Sequence, residues 1–415
     1  MRWLVCIIVG TSLSAAALAG DWPQWLGPNR DGTSTEIIKP WKGDPTVVWR
    51  TDVGEGHSSP IVAKGLVYLY DKVPGKETER LSAWTADKGE LLGATYTDRP
   101  PYSNQFGGGP RATPAFADNV VYAYGVTGKF SSQKLLRSGP NVNIVPGFLV
   151  DVLRDFQAPN LKFGVSASPL VEGDLVLVAA GGKGAGVVAF ERATGKVAWK
   201  ALDDPPSYAS PIAFGEGKNR QVVFLTQSEL VSLSPKDGTV FWRFPFKDAL
   251  SESSTTPVKI GDLLIASSVT LGSVALKLEE KDGKPAVTQV WKKPELSCYF
   301  STPVAVGKDH VYMINGVLAL KPSITLRCVE TATGKVLWQK PNIGKWHAAL
   351  LRTGDDKLLL LDDSGHVTLI QPDPKEYREL ARSKVCGETW AHPALTNGRF
   401  YIRDNKELIC LQLGE

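Results

Sequence analysis

Ala193-Thr-Gly-Lys-Val-Ala-Trp199 is a short turn followed by a strand-like segment that ends in a tryptophan. Gly195 can take the positive φ that a tight β-turn requires, and so can Gly334 in a second copy of the turn. Four further segments repeat the pattern. Three of them end in a tryptophan: Asp237-Gly-Thr-Val-Phe-Trp242, Asp282-Gly-Lys-Pro285 with Gln289-Val-Trp291, and Thr331-Ala-Thr-Gly-Lys-Val-Leu-Trp338. The fourth, Asp87-Lys-Gly-Glu-Leu-Leu92, lacks the tryptophan. A pattern that returns at such a spacing indicates a repeat architecture.

A second motif gives the number of repeats. A Ser-Pro or Thr-Pro pair precedes each alternating apolar segment, and roughly 42 to 55 residues separate successive pairs, enough for four short strands. Proline lacks an N–H group, so it suits the first residue of a strand at a sheet edge. The eight positions are Ser59-Pro60, Thr113-Pro114, Ser168-Pro169, Ser210-Pro211, Thr256-Pro257, Thr302-Pro303, Ala348-Ala349 (without proline) and His392-Pro393 (with histidine in place of Ser/Thr).

These motifs predict an all-β fold over residues 46–415, an eight-bladed β-propeller of four-stranded antiparallel blades. Thr46-Val-Val-Trp49 is predicted to complete the last blade, because the final segment around Ile409 has no turn and tryptophan strand of its own. Closing the ring in this way leaves no exposed sheet edge at the junction. Residues 138–156 interrupt the pattern, and we predict a strand at Phe148–Val150 there, followed by one helical turn.

The N-terminal residues 1–19 read as a cleaved signal peptide. Arg2 precedes a short apolar region that ends at Ala17-Leu-Ala19, a typical cleavage site. Cys6 lies inside the apolar region, so a lipoprotein is not expected. A retained anchor is the alternative, although the run is shorter than the ~20 residues that a span needs. We therefore expect a periplasmic or secreted monomer with no membrane span after signal cleavage.

Residues 20–45 have neither a helical nor a strand period. The segment Asp21-Trp-Pro-Gln-Trp-Leu-Gly-Pro-Asn-Arg-Asp-Gly32 contains two tryptophans, two prolines and an Asp-Gly turn. Such a segment needs support from the rest of the chain. We predict an N-terminal clasp that packs against one face of the ring with its indoles buried.

The charge and the cysteines exclude several functions. The formal net charge is only +4, and no basic run is interleaved with exposed aromatic residues, so no nucleic acid is expected as a partner. The cysteines match no zinc-site spacing. Buried core thiols are the favoured interpretation, with a Cys386–Cys410 disulfide as the alternative. The cysteines that follow the signal are Cys298, Cys328, Cys386 and Cys410.

Four tryptophans recur at one place per repeat, which is typical of packing residues between neighbouring blades. Stacking of a carbohydrate on them is the alternative. They are Trp199, Trp242, Trp291 and Trp338.

The Ala-x-Thr-Gly-Lys-Val-x-Trp unit resembles the pyrroloquinoline-quinone (PQQ)-type propeller repeat. Quinoprotein alcohol dehydrogenases and the outer-membrane-assembly (BamB-like) propeller lipoproteins share this unit, and the resemblance covers residues 46–413. The segment Trp22–Gly32 resembles the opening of a large bacterial group of secreted, PQQ-binding-like propellers. The resemblance implies an eight-bladed propeller, but a fold does not fix a function.

The resemblance also implies which cofactor to look for. Quinoprotein dehydrogenases hold PQQ in the channel between a tryptophan and two adjacent disulfide-bonded cysteines, with a calcium ion and an aspartate base. This sequence has no Cys-Cys pair, is shorter than those enzymes, and has no Asp/Glu/Asn cluster that matches the calcium ligands. PQQ with calcium is therefore not supported by the residues, and we expect no cofactor.

A binding site is predicted at the channel mouth, where the loops that enter the innermost strands converge. The residues three positions before the landmark prolines are His57, Arg111, Ser166, Tyr208, Ser254, Phe300, Trp346 and Trp390. His347 and His392 lie within two residues of this level, on units that neighbour the unit of His57. A metal site is one interpretation of the three histidines, and hydrogen bonds to loop carbonyls are the favoured one. Glu55 and Glu388 lie nearby, but nothing marks them as an acid/base pair.

Two functions remain. The first is a binding or scaffold module without catalysis, which binds an envelope or extracellular protein, peptide or glycan. It would act through channel-mouth residues, namely His57, Arg111, Tyr208, Phe300, Trp346, His347, Trp390 and His392. The second is a PQQ-dependent oxidoreductase. The sequence contains no Ser-His-Asp motif, phosphate loop or paired carboxylates at a diagnostic spacing, so the ligand stays open.

Overall fold

The computed structural model describes residues 20–138, 141–316 and 321–414. Within these ranges, thirty-two strands form eight four-stranded antiparallel sheets. The sheets form an eight-bladed β-propeller, which confirms the predicted fold class. The predicted signal peptide lies outside the described residues. No helix in the described part of the chain is long and apolar enough to cross a membrane.

The first four blades are consecutive in sequence. Blade 1 contains β2 (Ile61–Ala63), β3 (Leu66–Lys72), β4 (Thr78–Thr85) and β5 (Leu91–Asp98). Blade 2 contains β6 (Ala115–Ala117), β7 (Val120–Tyr124), β8 (Lys129–Ser138) and β9 (Asn141–Asp151). Blade 3 contains β10 (Leu170–Glu172), β11 (Leu175–Gly182), β12 (Ala185–Glu191) and β13 (Val197–Ala201). Blade 4 contains β14 (Ile212–Phe214), β15 (Gln221–Leu225), β16 (Glu229–Leu233) and β17 (Val240–Pro245).

The last four blades include the one that closes the ring. Blade 5 contains β18 (Val258–Ile260), β19 (Leu263–Ser268), β20 (Gly272–Lys281) and β21 (Lys284–Lys293). Blade 6 contains β22 (Val304–Val306), β23 (His310–Asn315), β24 (Thr325–Glu330) and β25 (Val336–Lys340). Blade 7 contains β26 (Ala348–Arg352), β27 (Leu358–Asp362), β28 (His366–Gln371) and β29 (Arg378–Lys384). Blade 8 contains β30 (Ala394–Thr396), β31 (Arg399–Arg403), β32 (Glu407–Gln412) and β1 (Thr46–Asp52).

The ring closes through β1, as the sequence predicted. This strand pairs antiparallel with β32, where Trp49 lies opposite Cys410 and Arg50 opposite Ile409. The interruption between blades 2 and 3 is a long β8–β9 hairpin. Its second strand is much longer than the predicted Phe148–Val150, and it is followed by the single turn α1 (Val152–Asp155). A 3-10 turn, Gly217–Asn219, lies in blade 4.

The serine or threonine of five of the landmark pairs links neighbouring blades on the channel side. Its hydroxyl oxygen accepts a hydrogen bond from the backbone N–H of the equivalent residue in the preceding blade, which also explains why these hydroxyls are buried. Five such bonds, 2.9 to 3.2 Å long, join Ser59 to Thr113, Thr113 to Ser168, Ser168 to Ser210, Thr256 to Thr302, and His392 to Ser59. We call this set the hydroxyl ring.

The tryptophans of the outer strands link the blades on the outside. Trp199 Nε1 donates to the Pro235 carbonyl of the next blade, and a Cβ on Gly238 would lie 2.6 Å from the Trp199 indole. Trp291 and Trp49 make the same kind of contact with the next blade. The turn glycine is therefore required for the close approach of the indole as well as for its positive φ.

The other predicted packing residues vary this contact. Trp338 also donates to a carbonyl of the next blade, that of Asp373. Trp242 instead donates to Gln221 Oε1 of its own blade, while its ring packs in a cluster with Leu264 and Leu276 of blade 5. All of these tryptophans pack at blade boundaries, as predicted.

The cysteines that follow residue 19 are buried in the blades as free thiols, and no Cys386–Cys410 disulfide forms among the described residues. Cys328 and Cys410 occupy equivalent third-strand positions, each opposite a tryptophan of the fourth strand. These contacts agree with the core-thiol interpretation.

The N-terminal segment lies across the end of the channel. Trp22 pairs with Val62 of blade 1, the Pro23 carbonyl accepts from Phe116 N–H of blade 2, and Arg30 donates to the Pro169 carbonyl of blade 3. Further along, Ser34 N–H donates to Arg352 O of blade 7, and Ser34 Oγ donates to Leu395 O of blade 8. Most of these contacts lie at the middle or the C-terminal end of the innermost strands. The segment therefore covers the end of the channel opposite to the predicted mouth.

Candidate functional site

A cavity of about 140 Å³ lies at the N-terminal ends of the innermost strands. Of the eight residues three positions before the landmark prolines, seven line it: His57, Arg111, Ser166, Tyr208, Ser254, Phe300 and Trp390. His347 and His392 line it as well. Trp346 does not. We call this space the channel-mouth cavity, and the role of its residues in ligand binding stays a prediction.

Five aromatic rings form a continuous wall of the channel-mouth cavity. Ring centroids are 5.0 Å apart for Trp390 with Phe300 and for Trp390 with Phe106. The contact continues from Phe106 to Phe163 and from Phe163 to Tyr208, each at 5.6 Å. These distances are typical of packed aromatic pairs. The wall leaves π-faces and ring edges for a flat ligand group.

Sequence reasoning missed several members of this cavity. Phe106, Phe163 and Glu252 lie in the loops that join successive blades, and those loops differ in length and have no period. The unusual length of the loops before Ala115 and Leu170 is a signal that could have directed attention to them. Trp25 comes from the N-terminal segment.

Trp25 forms the inner end of the cavity. Its Nε1 donates a 2.8 Å hydrogen bond to Thr256 Oγ1, and its ring lies edge-on to the His392 imidazole at a centroid distance of 4.6 Å. The hydroxyl of Thr256 thus receives an indole N–H where the hydroxyl ring has no blade 4 to blade 5 bond. Trp22 is buried as predicted, whereas Trp25 is only half-buried because one side faces the cavity.

His57 positions the loop that carries Phe106. The Phe106 carbonyl can only accept, so the 2.9 Å contact places the proton of His57 on Nε2. Burial, and next the nearby Arg111 charge, lower the pKa of His57 to about 3, so the ring is neutral near pH 7. The predicted bond to a loop carbonyl is therefore present at His57.

The prediction is wrong for His392, whereas the Phe300 backbone lies within hydrogen-bonding range of the His347 imidazole. Neither ring nitrogen of His392 has a partner among the described protein atoms, and neither does His347 Nε2. His347 Nδ1 lies 3.4 Å from Ser301 Oγ. Burial lowers the pKa of His392, and it lowers that of His347 to about 4. The cavity is thus lined by two neutral imidazoles, 5.4 Å apart between centroids, with three unpaired nitrogens.

The charged groups of the cavity are occupied by the protein itself. Arg111 donates to the carbonyls of Gly109 and Gly107 and to Asn104 Oδ1, so its guanidinium organises its own loop. Glu252 accepts from the Tyr299 hydroxyl, and its other oxygen lies 3.4 Å from Lys162 Nζ. The cavity therefore offers a ligand little unpaired charge.

A second space, of about 420 Å³, opens beside the cavity over blades 7, 8 and 1. It shares His57, Phe106 and Trp390 with the cavity, and Trp346 lies here. Its remaining lining is largely polar: Glu55, Gln105, Gly107, Lys345, Asp363, Ser364, Glu388, Thr389 and Asn405. We call it the mouth groove. Trp346 thus lies at the channel mouth in the mouth groove, which adjoins the cavity of the other ring residues.

Asp363 determines the loop of Trp346 and His347. Its Oδ2 accepts from Trp346 N–H at 2.7 Å and its Oδ1 from Lys345 N–H at 3.1 Å. The Asp363 N–H in turn donates to the His347 carbonyl at 3.0 Å. This turn of blade 7 is a positioning element of the site.

The residues present do not fit a metal or PQQ with calcium. The described residues contain no group of three or more His, Cys, Asp or Glu side chains placed to hold a metal. The ring centroid of Trp390 lies 5.9 Å from that of His57 and 6.4 Å from that of His347. Calcium takes six to eight oxygen ligands, whereas Glu252 is the single carboxylate among the cavity-lining residues described. No cysteine lines the cavity within the described ranges.

Known proteins resemble this chain in fold. A family model described as outer membrane protein assembly factor BamB matches residues 157–323. A search of curated proteins found no match. BamB from Moraxella catarrhalis is 15% identical with a TM-score of 0.62, over 89% of this chain and 100% of that chain. Quinohemoprotein alcohol dehydrogenase from Comamonas testosteroni is 12% identical with a TM-score of 0.67, over 97% and 82%. A europium-containing methanol dehydrogenase is 11% identical with a TM-score of 0.61, over 95% and 98%. The chain therefore shares its β-propeller fold with these proteins.

Proposed function

We propose that this protein is a binding module without catalysis, which acts in the periplasm or outside the cell and takes a peptide segment of a protein partner at the mouth of its channel. The observation that carries the proposal is the aromatic cavity that adjoins the polar mouth groove. An aromatic pocket beside a polar surface is the arrangement that anchors one side chain and leaves room for the chain that carries it.

The groove suits a peptide in size and charge. Lys345 and Glu388 lie at different parts of its lining, and Glu55, which is paired with Lys72, lies at a third, so charges of both signs border the groove. Trp346 and Trp390 supply the amphipathic rings that are enriched at protein interfaces. The likeness to BamB, whose family model is described as an outer membrane protein assembly factor, supports an envelope partner.

An oxidoreductase function has less support. The likeness to PQQ dehydrogenases extends over the fold, but the cavity has one carboxylate, which is already bonded to Tyr299, and no lining cysteine in the described ranges. A glycan is the other candidate partner, because sugars also stack on tryptophan. The mostly hydrocarbon wall of the cavity and its few unpaired polar groups favour a peptide.

The proposal can be tested with a random twelve-residue peptide library selected on the immobilised protein. Affinities of the selected peptides are then measured by calorimetry. Trp346→Ala should weaken binding by about tenfold or more, since groove tryptophans are typical hot spots. Tyr96→Ala, which removes an aromatic ring exposed on β5 away from the mouth, is the matched control and should leave the affinity unchanged.

Three results would overturn the proposal. One is a selection that yields no peptide, or peptides whose affinity is insensitive to Trp346→Ala. Another is binding of peptidoglycan or lipopolysaccharide fragments in place of peptides. The third is a thermal shift with PQQ and calcium accompanied by reduction of a dye, which would favour the oxidoreductase.

A further inference from the structure

We infer that the channel-mouth cavity takes one uncharged aromatic ring that carries a hydroxyl or N–H group, and that His347 and His392 recognise this polar group. This is the chemistry of a tyrosine or tryptophan side chain. The inference rests on the proposed function in one respect: the ring would belong to the bound peptide.

The shape of the cavity limits the ligand to a small flat group. About 140 Å³ is room for a ring with a short substituent, because a cavity of similar volume lined by apolar side chains holds benzene. The wall from Tyr208 through Phe163, Phe106 and Trp390 to Phe300 presents aromatic surface to it. Aromatic side chains favour a further ring in a stacked or edge-on arrangement.

The electrostatics of the cavity exclude a charged ring. An anion would need a free cation, but Arg111 is already hydrogen-bonded to two carbonyls and to an amide oxygen. A cation would need a free carboxylate, but Glu252 is engaged by Tyr299 and faces Lys162. Burying an ion without a partner is costly. A neutral ring avoids this cost.

The unpaired nitrogens require a polar substituent on the ring. A neutral imidazole has one N–H and one lone-pair nitrogen in either tautomer. Because both nitrogens of His392 are buried and lack a partner among the described protein atoms, this residue has a donor and an acceptor to satisfy regardless of its tautomer. His347 Nε2 adds a third unpaired position. A hydroxyl group can both donate and accept, whereas a hydrocarbon ring would leave all three nitrogens unsatisfied.

The ring can come from a free phenol or indole or from a peptide side chain. The channel-mouth cavity and the mouth groove share His57, Phe106 and Trp390 in their linings, so the two spaces adjoin and we place the chain attached to the ring in the groove. The inference therefore predicts that peptides selected on the protein contain tyrosine or tryptophan.

The first test uses small probes of one shape. Binding of p-cresol, 3-methylindole, toluene and 4-methylbenzoate is measured at neutral pH by competition against a bound fluorescent phenol, with near-ultraviolet circular dichroism as a check on the fold. We expect p-cresol to bind about tenfold more tightly than toluene, since toluene leaves buried nitrogens unpaired. The benzoate should bind more weakly than p-cresol because its charge has no free partner.

The second test uses variants. His392→Phe keeps an aromatic ring and removes both nitrogens, so it should bring the affinity for p-cresol down to that for toluene. His392→Ser, which restores the residue type of the other blades, should do the same and serves if the phenylalanine does not fit. His310→Phe is the matched control on β23, where the residue does not line the cavity.

Toluene binding as tightly as p-cresol would overturn the inference, and so would unchanged p-cresol affinity in both His392 variants. The two proposals can fail separately. If p-cresol binds in the expected way and no peptide is selected, the proposed function fails and the inference holds for a free phenol. If peptides without tyrosine or tryptophan are selected and p-cresol does not bind, the inference fails and the proposed function holds.

Discussion

The innermost strands of blades 1 to 4 and those of blades 7 and 8 begin with different side chains at the same position. In blades 1 to 4 this residue is serine or threonine, and the hydroxyl ring runs unbroken from Ser59 through Thr113 and Ser168 to Ser210. In blades 7 and 8 it is Ala348 and His392, which have no hydroxyl. Ser59 accepts from His392 N–H, so the two sectors meet there.

The difference separates blades in which this residue only links neighbouring blades from a blade in which it brings an unpaired polar group to the channel mouth. The hydroxyl oxygens of this residue in blades 2 to 4 each accept a hydrogen bond from the preceding blade. The His392 nitrogens have no partner among the described residues, and His392 lines the cavity. A position that is structural in one sector is therefore available for recognition in the other.

The largest expected effect is the loss of stability at low pH that arises from His347 and His392. Folded His347 titrates at about 4, and burial lowers the pKa of His392 as well, whereas unfolded histidine titrates near 6.5. The unfolded chain therefore binds more protons below about pH 6.5. Stability is full above that pH and falls as the pH drops, by up to about 1.4 kcal/mol per pH unit for each of the two residues.

Urea unfolding between about pH 7 and about pH 5 measures this slope. His57, whose folded pKa is about 3, acts in the same direction. Carboxylates with lowered pKa values, such as Asp248, lose their contribution only at lower pH. A free energy of unfolding that stays constant from pH 7 to 5 would contradict neutral, buried histidines.

The next prediction tests the contribution of the hydroxyl ring to stability. Ser168→Ala removes the acceptor of the Thr113 N–H, which is buried, so the free energy of unfolding should fall by about 1–3 kcal/mol. The acid slope should not change. The matched control is Ser166→Ala, since Ser166 Oγ bonds a carbonyl of its own loop and is only half-buried. Equal losses in the two variants would argue against the hydroxyl ring as a source of stability.

The smallest effect on stability is expected for His392→Ser. The change restores the common residue type and enlarges a cavity that is already open, so the free energy of unfolding near pH 7 should stay within about 1 kcal/mol of the wild type. The acid slope should decrease by about 1.4 kcal/mol per pH unit. A loss of about 3 kcal/mol near pH 7 in urea unfolding would mean that His392 is a packing residue and that the two sectors do not differ as described.

The fold was predictable because each motif carries a local physical requirement. The prolines mark strand edges, Gly195 and Gly334 have positive φ, and the repeated tryptophans mark blade boundaries. Even the missing tryptophan of blade 2 has an explanation that the sequence did not show. Phe148 of blade 2 occupies the position that a tryptophan has in other blades. This is shown by its close contact with the turn glycine of blade 3, since a Cβ on Gly195 would lie 2.4 Å from the Phe148 ring.

The site was only partly predictable. Counting back from each proline reached the lining residues whose loops repeat from blade to blade. It did not show that Trp346 lies in the groove and not in the cavity, because Asp363 sets the course of that loop. It did not reach Phe106 or Trp25 either, since their segments follow no period. The free nitrogens of His392 depend on what surrounds the ring in space, and no sequence pattern reports that.

The pairing of β1 with β32 has a consequence for folding during translation. Thr46–Asp52 leaves the ribosome early, yet its partner Glu407–Gln412 is translated only after every other blade. Until then the blade 8 sheet is incomplete, because β1 has no partner strand. A nascent chain interrupted before residue 407 would keep an open strand edge, which makes such products targets for chaperones and proteases.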